Sequence, residues 1–443
     1  MDDLERSTMR RVYWRLVPLL FMAVLLNYLD RINVGFAALR MNQELHFSPA
    51  AFGFGASVFF VGYMLLEIPS NIMLHRVGGR IWIARILVTW GAVAAAMCLV
   101  TDTYSLYTLR FLLGVAEAGL LPGLALYSTY WFPASYRARA VSGYMIAAQL
   151  ASVIAGPLST ALMTYCDGLL GQSGWRWMFV LEGVPAMCLG VLVFRMLTER
   201  PSKAAWLSDD QKAWLMTRLA QERRASASQG HEGLLQILRD GRVWRLALLF
   251  GCALVSIDGM HFWQPQIIKS FGKLSDIEVG LLSAIPAILA IIATISISIS
   301  SDRTGDRKFH LAGLYVVGAT GLATCAFSSS PVWGYVLLCI ASVGINSGNS
   351  LFWSLNSSLM TGAAAAISIA LVNTLAQVGG IAGPWMIGLA RSGSGSFTSA
   401  LITLAVFTGF AALLAMSLRV KSAVVSGDVG EQLGDEIGEG VKI

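Results

Sequence analysis

Twelve apolar segments, each about 20 residues long, recur along this sequence, and nothing else in it restricts the fold as strongly. They begin near Leu16, Ala51, Trp82, Ser105, Ala138, Arg176, Val243, Ile277, Phe309, Val332, Ala364 and Thr398. A helix needs about 20 apolar residues to cross a bilayer, and in lipid every backbone polar group must be satisfied within the protein. The segments therefore predict an all-α integral membrane protein with twelve transmembrane helices. Only 13% of the residues are charged, where soluble domains carry about 25%, which excludes a soluble fold. The net charge of +6 resides in loops between apolar segments, so nucleic acid is not an expected partner and the lipid bilayer is. Five of the six cysteines lie in apolar segments and none form a CxxC pair, which predicts packing residues and no metal site. The first 15 residues are polar and the first apolar run is full length, so no cleavable signal peptide is expected. No HExxH, P-loop or GxGxxG after a strand appears, so an enzyme is not expected.

Charge in the loops sets the orientation. An even number of spans puts both termini on one face. That face receives Arg6, Arg10, Arg11 and Arg15, then Arg76 and Arg80, Arg137 and Arg139, the basic central loop, and Arg303, Arg307 and Lys308. The opposite loops hold only Arg40, Lys269, Lys273 and Arg391. Positive loops stay in the cytoplasm, so both termini are expected there. Four regions follow: a six-helix bundle over 1–200, a cytoplasmic central loop over 201–242, a second six-helix bundle over 243–420 and a disordered tail over 421–443. In the central loop, Ser208 and Gln211 have capping-box spacing ahead of a helical run to Arg224. Trp206, Trp214 and Leu215 could lie on the membrane surface, and a solvated linker helix is the alternative.

The two halves are copies. Ile154-Ala155-Gly156-Pro157 recurs as Ile381-Ala382-Gly383-Pro384, an offset of 227 residues. His75-Arg76-Val77-Gly78-Gly79-Arg80 recurs as Asp302-Arg303-Thr304-Gly305-Asp306-Arg307 at the same offset. Two unrelated motifs at one spacing imply parallel repeats, with a ligand site between them near mid-membrane and rocking of the halves as the mechanism.

Charge inside the apolar segments points to function. Asp30 and Arg31 stand side by side in span one, and a charge at membrane depth costs at least about 2.5–3.5 kcal/mol. Arg31 keeps its proton and Asp30 can exchange one. A structural ion pair is the alternative. At 1.5 Å per residue Asp30 lies roughly 20 Å in from the cytoplasmic face, and Arg110 on span four shares that depth. Glu117 follows two turns from Arg110 on the same face, and a purely structural Arg110–Glu117 pair is the alternative there. Two arginines at one level suit a carboxylate. Asp30 and Glu117 are the candidate proton carriers, and Arg31 and Arg110 the candidate anion ligands. Tyr63 and Glu67 lie one turn apart in span two. Asp258, His261, Trp263 and Gln264 lie in span seven, the offset placing Asp258 opposite Arg31. Asn346, Ser347, Asn349, Trp353, Asn356, Asn373 and Gln377 in spans ten and eleven suit substrate hydroxyls or interhelical hydrogen bonds. Glu182 is a further buried acid with no specific role.

The chain resembles the major facilitator superfamily in its two loops with the Arg-x-Gly-x-Arg pattern. Asn27-Tyr28-Leu29-Asp30-Arg31-Ile32-Asn33, Pro69-Ser70-Asn71, the run from Arg110 to Gly119, Trp131-Phe132-Pro133, Trp175-Arg176-Trp177-Met178-Phe179, Phe262-Trp263 and Pro265-Gln266 are similar to its anion:cation symporter family. The resemblance covers nearly all of 10–420 and extends to the bacterial branch that takes up tartrate, phthalate, hydroxyphenylacetate and sugar acids. It implies the major facilitator fold, proton-coupled symport of a small organic anion with no cofactor beyond the proton, a bacterial inner-membrane location and a monomer. It also implies that spans one and four line the cavity. Arg76, Gly78 and Arg80 with Asp302, Arg303, Gly305 and Arg307 would form cytoplasmic gates, although His75 stands where the first copy would carry the acid. Gln264 and Asn356 depart from residues common in the family. An exporter or antiporter of the same fold, a non-transporting sensor and a channel are the rival readings. Gly156-Pro157 without a following glycine pair leans towards uptake, and paired charges between two gated halves argue against an open pore.

Overall fold

In the computed structural model, which describes residues 2–227, 239–359 and 364–418, each long apolar segment is a helix. The first half comprises α1 (Asp2–Glu44), α2 (Pro49–Val77), α3 (Gly79–Ala96), α4 (Thr103–Glu117), α5 (Leu120–Thr129), α6 (Ala134–Tyr165) and α7 (Gly174–Met196). Helix α8 (Asp209–Ala227) lies in the central loop. The second half comprises α9 (Gly241–Ser270), α10 (Asp276–Thr304), α11 (Arg307–Ala326), α12 (Pro331–Leu359), α13 (Ala364–Ser394) and α14 (Thr398–Ser417). Among the described residues, 11 helical stretches are long and apolar enough to cross a membrane, with α4 and α5 together making one. Helix α13 supplies the twelfth span, and no strand occurs among the described residues. The tail over 421–443 and part of the 201–242 loop lie outside the described residues.

Polar caps fix where the helices begin. Ser48 caps α2 by accepting the Ala51 N–H, Asp102 and Ser105 cap α4 reciprocally, and Ser275 and Glu278 do the same for α10. Gly78 (φ +103°) and Gly305 (φ +68°) make the turns at the two copies of the arginine motif, a backbone conformation that only glycine adopts cheaply.

Helix α8 packs on the first half. Trp206 stacks on Trp131 at 5.4 Å, Leu215 is fully buried, and Trp214 is partly buried against the same core. Gln211 accepts from Arg11, and Glu222 pairs with Arg137 at 3.6 Å. The expectation of a membrane-surface or freely solvated helix is therefore corrected: its apolar face is taken up by the protein. Ser208 and Gln211 do form the expected reciprocal cap.

The halves meet through α2 with α13, α6 with α10, and α1 with α9. The 227-residue offset carries α2 onto α10 and α6 onto α13, so the first two interfaces are copies of each other. Glycine makes both close. A β-carbon on Gly53 would stand 2.5 Å from the Pro384 carbonyl oxygen, and one on Gly156 would stand 2.5 Å from that of Gly280. Gly53 and Gly280 are equivalent positions in the repeat. These contacts gather at the end away from the termini, called distal below. There Arg40 of α1 binds Asp276 of α10 at 2.7 Å, and Ala50 donates to Ser392 at 3.0 Å. The distal end is therefore sealed, and it is the end opposite the arginine motifs.

Replacing Gly280 by leucine forces side-chain atoms against the Gly156 carbonyl oxygen and the Thr160 hydroxyl, which already leave no room for a β-carbon. Overpacking of this kind costs about 1–3 kcal/mol, enough to shift a two-state equilibrium roughly 5–150-fold towards the distal-open form. The check is the labelling rate of a cysteine at Phe52, which is fully buried here. Labelling by an impermeant maleimide should rise in the glycine variant.

Candidate functional site

Consecutive residues on a helix point about 100° apart, so Asp30 and Arg31 serve different places. Asp30 turns into the first half. Its carboxylate accepts from the Trp90 indole at 2.7 Å and from the Asn33 amide at 3.2 Å. The same Asn33 amide donates to Glu182 at 2.8 Å, and the Ser159 hydroxyl donates to the other Glu182 oxygen at 2.8 Å. Two buried carboxylates thus share one amide, with no cation in contact among the described residues. Glu182, which the sequence left without a role, is tied to Asp30.

Arg31 turns to the boundary between the halves and binds Glu117. Its Nε donates to Glu117 Oε1 at 2.6 Å and its Nη2 stands 2.5 Å from the same oxygen. Glu117 is fully buried, its Oε2 has no partner, and the Arg31 side chain is 18% exposed. The guanidinium lies over the rings of Tyr63, Phe59 and Tyr28 at 5.0, 5.4 and 5.7 Å. Aromatic faces favour a cation and hold it without neutralising it.

Glu117 closes α4. Gly119 (φ +85°) then interrupts the span before α5 starts, and a β-carbon there would meet the Ser70 hydroxyl at 2.4 Å. Interrupted backbone at membrane depth is tolerated where protein or a cavity covers it, and in transporters it marks the ligand site. The signal was present as Glu117-Ala118-Gly119 with Pro122 one turn on, and hydropathy alone ran through it.

Asp258 of α9 lies within electrostatic range of Arg31. Its Oδ2, the Gln377 Oε1 and the Phe60 ring converge on the space that Gly380 leaves by having no side chain. Asn373 is one turn from Gln377 on α13 and partly exposed. His261 and Gln264 line a separate cavity of about 50 Å³ with Asn346, Gln149 and Ser152, room for a few waters. Gln149 and Ser152 had no signal in the sequence beyond being polar.

Two expected ligand residues, Arg110 and Trp263, are committed to bonds within the protein. Arg110 is 1% exposed, reaches the Gly55 and Ala56 carbonyl oxygens at 3.4 and 3.2 Å, and is held between the Phe59 and Phe262 rings. It staples α4 to α2, where Gly62 and Gly114 bring the backbones together, and the Glu117 partner expected of it is Arg31. The Trp263 indole is fully buried and donates to Pro384 at 3.0 Å. Trp353 packs in an aromatic cluster with Phe250 and Phe352. Asn356 is fully buried and neither of its side-chain polar atoms has a partner.

Each arginine motif closes on its own half. The Glu199 carboxylate accepts from the Gly79 and Arg80 N–H groups at 2.7 and 3.1 Å, and Arg80 donates to the Phe194 carbonyl at 2.6 Å. Asp302 pairs with Arg307 at 3.7 Å, and Arg307 reaches the Ser354 carbonyl at 3.5 Å. Arg76 and Arg303 are exposed. Glu199 was missed, as was the distal cluster in which Asp276 binds both Arg40 and Lys269 and Arg40 also pairs with Asp167 at 3.0 Å.

The family model described as Major Facilitator Superfamily matches residues 20–384. A protein of Agrobacterium vitis provisionally named a tartrate transporter is 44% identical over 421 residues, covering 95% of this chain and 93% of the relative. A quinolone resistance transporter of Acinetobacter baumannii is 39% identical over 419 residues, covering 95% and 96%. The crystal structure of a D-xylose-proton symporter superposes with a TM-score of 0.74 at 17% identity, covering 93% of this chain and 98% of that one. The last of these speaks for the fold alone.

Removing one member of a buried ion pair strands the other, at about 3–5 kcal/mol. Arg31→Gln should therefore lower the melting temperature of the purified protein. The double change Arg31→Gln with Glu117→Gln should recover most of the loss, as a double-mutant cycle in thermal unfolding checks.

Proposed function

The chain belongs to the Major Facilitator Superfamily, and we propose that it is a secondary active transporter that takes up a small organic carboxylate of the tartrate kind together with protons. The reading rests on the Arg31–Glu117 pair. Arg31 is the partly exposed cation at the boundary between the halves, and its counterion is a fully buried carboxylate with one oxygen already lacking a donor. An incoming carboxylate that takes the guanidinium leaves Glu117 as an unpaired charge in a dry site, a cost that an accompanying proton removes. Anion binding and protonation are thereby coupled without any direct contact between substrate and proton. Tyr63 positions the guanidinium, and Asp258, Gln377 and Asn373 supply the opposite wall for hydroxyl groups. Asp30, bridged to Glu182 through Asn33, is the second proton carrier.

The need for protons follows from voltage. Bringing an anion into a negative interior costs about 2.3 kcal/mol per charge per 100 mV. Each accompanying proton removes one such charge. With the termini cytoplasmic, as the basic loops predict, the sealed distal end faces outward, and this conformation is the one that releases substrate to the cytoplasm of a bacterial inner membrane. The arginine motifs are then the open gate, each folded back on its own half. On closure, Arg76 and Arg303 are the exposed cations free to bridge the halves.

Sequence identity to a quinolone resistance transporter favours a second reading, export by the same fold. Flux in vesicles decides between them: uptake into right-side-out vesicles driven by an inward proton gradient supports symport, and accumulation in inverted vesicles with an acid lumen, driven by protons leaving, supports export.

In proteoliposomes with an imposed pH gradient, Glu117→Gln should abolish concentrative tartrate uptake while leaving tartrate–tartrate exchange at equal pH. Undiminished accumulation in that variant removes Glu117 from the coupling.

A further inference from the structure

We propose that the sealed distal end carries a second anion site, built by Arg391, Gln266, Lys269 and Asn42, which takes a small carboxylate and exists only while that end is shut. A cavity of about 290 Å³ opens there between the halves. Asn42, Gln43 and Pro49 line it from the first half, and Gln266, Lys269 and Arg391 from the second.

Three features point to an anion. Arg391 has no carboxylate partner among the described residues, and its guanidinium is held over the Phe397 and Trp263 rings at 4.3 and 5.6 Å. Its Nη1 donates to Gln266 Oε1 at 2.6 Å, which orients that amide. The Gln266 Nε2, in a side chain 9% exposed, is left as a buried donor with no acceptor. Buried polar groups without partners are rare and call for a ligand. Second, Lys269 uses one contact on Asp276 at 3.0 Å, and Asp276 is already matched by Arg40 at 2.7 Å. Arg40 also pairs with Asp167 at 3.0 Å, so Arg40 and Lys269 are matched by two carboxylates and Arg391 is left as the cation at this cavity without a carboxylate among the described residues. Third, the Asn42 Oδ1 is also buried without a partner, and this amide can present its nitrogen to the cavity instead. A carboxylate meets a forked cation, an ammonium and amide donors here, a set matched to two oxygens.

The walls come from both halves, so opening the distal end takes the site apart. A ligand that binds only one of two states shifts the equilibrium towards it. A carboxylate bound from the distal side therefore holds that end shut and slows the return of the empty carrier. The site lies apart from Arg31 and does not depend on the role assigned to that residue.

The test is the stoichiometry of radiolabelled tartrate on the purified full-length chain at saturation. Two per chain are expected for the unmodified protein, one for Arg391→Gln, one for Arg31→Gln and none for the double variant. Gln266→Leu, which leaves Arg391 in place, should also give one and guards against a folding defect in the arginine variant. Equal stoichiometry in the unmodified protein, Arg391→Gln and Gln266→Leu overturns the proposal. So does loss of all binding in Arg31→Gln while the chain remains folded. Loss of a site in Arg391→Gln with no loss in Arg31→Gln sustains this site and refutes the central one.

Discussion

A guanidinium keeps its proton even when dry, so its charge has to be met: Arg110 is met by carbonyl oxygens and aromatic rings, and Arg31 by a carboxylate. Glu117 fills that requirement in the conformation described here, through two contacts to a single oxygen. Everything around the pair serves it. Tyr28, Phe59 and Tyr63 surround the cation with ring faces that neither neutralise nor displace it. The break at Gly119 ends α4 just after Glu117, which fixes the acid at the mouth of a helix interruption. On the proposed reading, a substrate carboxylate is a partner of the same charge as Glu117 and competes with it for Arg31. Under that reading, competition for one cation would couple substrate to proton with no long-range signal.

The division of labour between the halves follows from where charge is tolerated. The first half holds Asp30, Glu182, Glu117, Arg31 and Arg110, each in contact with partners from its own helices. At the centre the second half offers Asp258 and neutral groups, and its helices α10 and α13 carry the glycines and carbonyls that meet the first half. Moving the second half therefore changes access to the ion pair without breaking it. Glycine contacts at equivalent positions of the repeat let the two interfaces close together, since Gly53 and Gly280 meet the neighbouring backbone in the same way. Rocking about such a symmetric seam is the motion that the duplication makes available.

Much of this was legible in the residues. Twelve spans, the duplication and its 227-residue offset follow from hydropathy and from two repeated motifs. Asp30, Arg31 and Glu117 stood out because a charge inside an apolar run is costly to insert and is rarely kept without a task there. The offset that set Asp258 opposite Arg31 matches two residues within electrostatic range. The failures share a cause. Depth along a helix can be counted, whereas the direction of a side chain depends on which neighbour comes close. Arg110 has the depth of Arg31, yet Gly62 and Gly114 draw α2 against α4 and bury it. Trp263 spends its indole N–H on the Pro384 carbonyl and its ring on Phe52 across the boundary, and Asn356 is fully buried. Glu199 was invisible because its partners are backbone N–H groups 120 and 119 residues away, which leave no pattern in sequence.

The two ends of the molecule differ in how they are held, and that asymmetry has a consequence for the cycle. Distal closure uses glycine contacts, aromatic packing such as Phe52 on Trp263, and the Arg40–Asp276 pair. The proximal motifs form their bonds inside each half, with Glu199 occupying the turn at Gly78 and Asp302 engaged by Arg307. Closing the proximal end therefore has to trade existing bonds for new ones, while opening the distal end has to separate apolar and glycine surfaces. The first exchange is roughly neutral in bond number, and the second exposes packed surface. A ligand that spans the halves at either end weighs on this balance directly. On the proposed reading that ligand at the centre is the substrate, whose departure would restore the Arg31–Glu117 pair and reset the carrier for its return.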